Sequence, residues 1–159
     1  RVRSRGLGDG YKRQVMHEFV KAGANMVSVH VEADVHLQRT LVSIREAGGK
    51  SGIAINPATP LVSIEEALPY ADFVLLMSVN PGFGGQKFDP VALDRARRIR
   101  AVAGPDVLLE MDGGINATTI RDCAAAGAQL FVVGSAIFRS SDYVASVREL
   151  TDLALTGKR

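Results

Sequence analysis

Five short apolar runs, each separated from the next by a segment of helical spacing, constrain this chain more than any other feature. The runs are MVSVHV at 26–31, GIAIN at 52–56, FVLLMSV at 73–79, VLLEM at 107–111 and LFVVG at 130–134. Their length and their content of Val, Ile, Leu and Phe mark them as buried strands. Helical periodicity covers 11–22, 36–47, 63–69, 90–102, 117–126 and 141–155. Glycine stands just past three of these helices in KAG, EAGG and AAGA, and Asn116 precedes ATTIRD as an N-cap. Repeated strand-helix units imply a parallel sheet with right-handed crossovers. An α/β barrel and a doubly wound sheet both satisfy the pattern, and periodicity does not choose between them.

The 159 residues, 47% hydrophobic and 23% charged, have the composition of one globular domain. No apolar run approaches the roughly 18 residues needed to cross a bilayer, and no apolar stretch follows the basic N-terminus, so neither a membrane partner nor a secretory signal is expected. The one cysteine, Cys123 in DCAAAGA, reads as a helix-packing residue and fits a reducing, cytoplasmic setting. Net charge is +2, but residues 1–13 carry five basic side chains against one acidic, which leaves the rest mildly acidic. With 6% aromatics and no tryptophan, nucleic acid is not an expected partner. Residues 1–10, RVRSRGLGDG, read as disordered or unrelated to the domain at 11–159.

Polar groups cluster where strands end, which is where α/β folds keep their sites. His30 and Glu32 are two apart in HVEA and are expected on one face of one strand. Glu110 and Asp112 repeat that spacing in LLEMDGG, with Asp112 directly before Gly113 and Gly114. In SVNPGFGGQKF, residues 78–88, Gly82, Gly84 and Gly85 free the backbone to turn successive N–H groups toward an anion, and Lys87 adds charge nearby. The loop has neither the GxxxxGK[ST] spacing of a nucleoside triphosphate site nor GxGxxG. Gly134 and Ser135 end the last run, another arrangement that holds phosphate late in a barrel. Two such loops favour a phosphorylated small molecule over a nucleotide.

HVEA, NPATP, MSVNPGFGGQKF, MDGGIN and GSAIF follow one another from about Phe19 to Leu150 in a way that resembles the ribulose-phosphate 3-epimerase family. The resemblance implies an eight-stranded β/α (TIM) barrel that interconverts ribulose 5-phosphate and xylulose 5-phosphate in pentose phosphate metabolism. It makes His30 a ligand of a divalent metal (zinc, iron, manganese or cobalt) that also touches substrate. Asp112 becomes both metal ligand and catalytic carboxylate. Met77, Gly82, Phe83, Gly84, Gly85, Gly113, Gly114, Gly134 and Ser135 would surround the sugar phosphate. Inverting a carbon beside a carbonyl explains these types, because one carboxylate is needed on each face of a planar enediolate. A metal on the substrate oxygens would hold its charge.

The family's other catalytic aspartate, second metal histidine and a substrate serine lie on its first two strands, and nothing in this sequence matches them. The expectation is therefore an incomplete barrel holding about strands four to eight, with RVRSRGLGDG in place of the first three. Glu32 and Glu110 are expected deeper in the barrel than the ligands. Such a chain could instead be a non-catalytic phosphate-binding fragment. A keto-gulonate-phosphate decarboxylase or a tryptophan-pathway barrel fits PGFGGQKF less well. Strand edges left unpaired predict a homo-oligomer.

Overall fold

The computed structural model describes residues 9–82 and 84–157. In chain order the elements are α1 (Asp9–Lys21), β1 (Met26–His30), α2 (Leu37–Glu46), β2 (Lys50–Ile55), α3 (Val62–Glu65), β3 (Phe73–Met77), α4 (Val91–Ala103), β4 (Leu108–Asp112), α5 (Ile120–Ala125), β5 (Leu130–Val132), α6 (Ser135–Phe138) and α7 (Tyr143–Gly157). Of the segment read as disordered, Asp9 and Gly10 belong to α1. Residues 1–8 lie outside the described residues.

All four strand pairings are parallel, and the strands lie in chain order β1-β2-β3-β4-β5. That order decides between the two architectures. A doubly wound sheet reverses direction at a switch point, whereas steady right-handed progression lays every crossover on the same face. The result is a parallel sheet with its strands in the order a β/α barrel uses. One strand face, carrying Ile53, Ile55, Val74, Leu76, Leu109 and Met111, is fully buried, as are Leu41 and Ile44 of α2, Ala96 and Ile99 of α4 and Cys123 of α5. Burial pushes the Cys123 thiol up to about 12, consistent with a packing residue.

The opposite face is more open. Along β4 burial alternates, with Leu109 and Met111 buried and Leu108, Glu110 and Asp112 only partly so. The apolar runs mark these strands as buried, but at β4 full burial holds for one face only. Full burial fails too at the edges, where Met26 is 38% and Val132 is 40% exposed.

Two helix expectations also need correction. The segment at 63–69 is one turn of α3 followed by a 3-10 turn at Leu68–Tyr70, because Pro69 has no N–H to continue an α-helical ladder. α5 starts at Ile120 rather than directly after Asn116, with Thr119 at its boundary making no side-chain cap bond. Asn116 caps the turn that leads into it, its Oδ1 accepting from the Thr118 N–H at 2.8 Å and its carbonyl from the Ile120 N–H at 3.0 Å.

At the N-terminal edge of the sheet Asp72 ties three elements together. It accepts from Arg45 Nη2 at 2.9 Å, Arg45 Nε at 3.1 Å and the Ser51 N–H at 2.7 Å. Burial alone would raise its carboxyl, but the Arg45 and Ser51 bonds outweigh that and hold it below the ordinary range. This end is built for stability. Chemistry gathers at the other.

Candidate functional site at the carboxyl ends of the strands

The loops after β3, β4 and β5 enclose a cavity of about 310 Å³. Each wall follows from a local feature. After β3, the Gln86 amide donates to the Asn80 carbonyl at 2.8 Å, drawing the glycine loop into a closed bend. After β4, Gly114 has φ +65°, and a Cβ there would lie 2.7 Å from Phe88 Cα and 2.9 Å from the Gln86 carbonyl. Only glycine lets the two loops pack this closely. Ser78 Oγ donates to the Gly113 carbonyl and joins them again.

The cavity brings together most of the residues expected from sequence: Met77, Gly82, Gly84, Gly85, Asp112, Gly113, Gly114, Gly134 and Ser135. Phe83 lies outside the described residues. His30 is not among the lining residues; it sits on edge strand β1, paired in register with Ala54. No hydrogen bond among the described residues uses the backbone N–H of Gly84, Gly85, Gly134 or Ser135. Free donors from loops after different strands therefore converge on one space, an arrangement suited to a phosphate. Lys87 belongs to the same loop but does not line the cavity. Sequence reading missed Gln86 as the loop's clasp, although a long amide beside tandem glycines was a usable signal.

Asp112 ends β4 in register with Met77 and Val132. Burial pushes its carboxyl above the ordinary value, against a lowering hydrogen bond from the Gly113 N–H. Glu110 lies one pleat deeper, as expected, and is raised by burial and then by the negative charge of Asp112. A strand-end carboxylate held above its usual range is a better proton acceptor near neutral pH than a free one.

The placement of Glu32 departs from the expectation. β1 stops at His30, and Glu32 stands in a 3-10 turn at Val31–Ala33, past the strand end rather than deeper. The pair still meets, with Glu32 Oε2 3.1 Å from His30 Nδ1. Glu32 Oε1 accepts from the Asn56 N–H at 2.9 Å and from the Thr59 hydroxyl. Burial acts to raise this carboxyl, but the Thr59, Asn56 and His30 hydrogen bonds prevail and lower it. So engaged, Glu32 is an orienting group and not a free base. Arg95 fixes the same loop through the carbonyls of Asn56 at 3.2 Å and Thr59 at 2.7 Å.

His30 and Asp112 have the donor types of a mixed imidazole and carboxylate metal site, and a carboxylate on one ring nitrogen is how metal-bound histidines are commonly oriented. Among the described residues, however, no three His, Cys, Asp or Glu side chains come together to hold a metal. These residues do not by themselves form a metal centre. No described helix is long and apolar enough to cross a membrane.

Comparison with known proteins bears on this geometry. Residues 11–138 match the Ribulose-phosphate 3 epimerase family. A ribulose-phosphate 3-epimerase of Aquifex aeolicus is 49% identical over 142 residues, covering 87% of this chain and 64% of that protein. One from Escherichia coli K12 is 46% identical over 140 residues, covering 86% and 62%. The chain thus spans a little under two thirds of the length of these relatives. Among solved structures, 3-hexulose-6-phosphate synthase of Salmonella typhimurium superposes with a TM-score of 0.73 at 22% identity, covering 96% of this chain and 71% of that one, a likeness of fold.

Proposed function

This chain belongs to the ribulose-phosphate 3-epimerase family, and on that premise we propose that the protein it represents interconverts D-ribulose 5-phosphate and D-xylulose 5-phosphate. The observation that carries the reading is the shared cavity, in which unused N–H groups of two glycine loops face the same space as the raised carboxyl of Asp112. The five strands correspond to the fourth to eighth strands of an eight-stranded barrel. The phosphate rests on the loops at Gly84, Gly85, Gly134 and Ser135, remote from the reacting carbon, and supplies positioning. Asp112 moves the C3 proton on one face of the sugar, leaving an enediolate; a second carboxylate serves the other face. Family membership suggests a divalent cation. His30 and Asp112 are the ligands this chain would contribute, and such a pair suits zinc, iron, manganese or cobalt.

One observation favours a second reading for the 159 residues taken alone. Asp112 is the single acidic side chain among the described residues lining the cavity, so phosphate binding without inversion is the alternative. Incubating ribulose 5-phosphate with the chain in D₂O separates the two. Loss of the C3–H signal and formation of xylulose 5-phosphate, both reduced roughly 10²- to 10⁴-fold by Asp112→Asn, support epimerisation. Saturable phosphate binding with no exchange selects the alternative. An undiminished Asp112→Asn rate removes Asp112 from its role.

A further inference from the structure

The cavity has a charge problem. Its only charged lining residue among those described is Asp112, so no side chain of the lining offers a positive charge to a phosphate dianion. Backbone N–H groups supply partial positive charge, and a cationic side chain at the rim would add to it.

One cation reaches the rim. Arg139 follows α6 immediately, four residues after Ser135 and hence on the same side of the helix one turn along. Helical side chains lean toward the N-terminus, which carries this one back over Ser135 toward the β3 loop. Its Nη2 lies 3.5 Å from where a Cβ on Gly85 would stand. Arg139 is exposed, and its guanidinium makes no hydrogen bond or ion pair among the described residues. Neither Arg139 nor Lys87 is a lining residue of the cavity; what distinguishes Arg139 is that its guanidinium stands against Gly85, which is one.

We propose that Arg139 is a substrate-binding residue whose guanidinium closes on the phosphate monoester held between the Gly85 loop and Ser135. The proposal rests on the functional reading above. The guanidinium stands within van der Waals reach of the Gly85 position, and its planar fork can span two phosphate oxygens at once. A lysine would supply a point charge without that fork. Arg139 would also select for the doubly charged ester, because the attraction grows with ligand charge.

The test is a titration of the 159-residue chain with inorganic phosphate, followed on the amide signals of Gly84, Gly85, Gly134 and Ser135. In the wild type all four should move together and saturate. Arg139→Gln should weaken the apparent affinity roughly tenfold, the low end of what a charged hydrogen bond at an exposed position is worth. Arg139→Lys should fall between, and Lys87→Gln should bind as wild type does. Arg139 is exposed, so these variants should keep the fold, and unchanged shifts in β2 and β3 will verify it. Equal affinity in wild type and Arg139→Gln overturns the proposal while leaving the phosphate site intact. Absence of a saturable response in the wild type overturns the phosphate reading itself, and the proposal with it.

Discussion

Gly114→Ala should be far more damaging than its one added methyl suggests, and a second glycine provides the scale. Gly48, just past α2, also has positive φ, at +94°, but a Cβ there would meet nothing within 4 Å. Gly48→Ala therefore reports the conformational term alone. Left-handed backbone costs a non-glycine residue about 1–2 kcal/mol, partly offset by about 0.4–1 kcal/mol from restricting the unfolded chain. The net loss should be about 1.6 kcal/mol at most. At Gly114 the new carbon would lie 2.7 Å from Phe88 Cα and 2.9 Å from the Gln86 carbonyl. Both are backbone atoms and cannot rotate away, while the Phe88 side chain is 9% exposed and anchored in the core. Reaching an ordinary carbon contact of about 3.5 Å moves the loop by most of an ångström. Overpacking of this kind costs about 1–3 kcal/mol beyond the conformational term. In thermal melts Gly114→Ala should unfold roughly 2–12 °C below Gly48→Ala, taking about 2–4 °C per kcal/mol at this size. It should also weaken phosphate binding, since Gln86 is the clasp of the β3 loop. Equal melting points for the two variants would refute the argument that the β4 turn and the β3 loop are in obligatory contact.

Glu110→Gln should stabilise the chain at neutral pH. The folded carboxyl is raised above 4.5, so the native state holds a proton the unfolded chain has lost, and stability falls as pH climbs from 4.5 through the folded value. The variant should lose that slope in melts from pH 4 to 8, and an unchanged slope would count against the burial and Asp112 repulsion assigned to it. Asp72→Ala should cost about 1–3 kcal/mol by stripping the Ser51 N–H and Arg45 of their acceptor. Because this carboxyl is lowered from 3.8, its contribution is present above 3.8 and fades as pH falls through the folded value, so the two proteins should converge in strong acid. The outer edges of β1 and β5, unpaired among the described residues and with Met26 and Val132 exposed, should make the isolated chain self-associate. Light scattering giving a monomer mass at every concentration would contradict that.

Much of this protein is legible in local sequence. Apolar runs of five to seven residues, helical spacing between them and glycine past the helix ends describe most elements from their own residues, because burial periodicity and left-handed caps are local physics. The positive φ of Gly23, Gly48 and Gly127 bears out the three glycine signals. Asp112 and the two glycine loops were recognisable because strand ends and tandem glycines are written into consecutive residues. Tertiary structure alone decided the rest. Strand order, which separates a barrel wall from a doubly wound sheet, depends on which strands pair, and identical strand-helix units allow either. Glu32 looked from spacing like a partner of His30 inside the strand. The turn at Val31–Ala33 instead carried it past the strand end, to the Asn56 and Thr59 groups of another loop. Arg139 carries no local signal, and only the fold brings its guanidinium beside Gly85, far away in sequence. Periodicity records which face of an element is buried; what that face meets is a long-range outcome of packing, and no single segment encodes it.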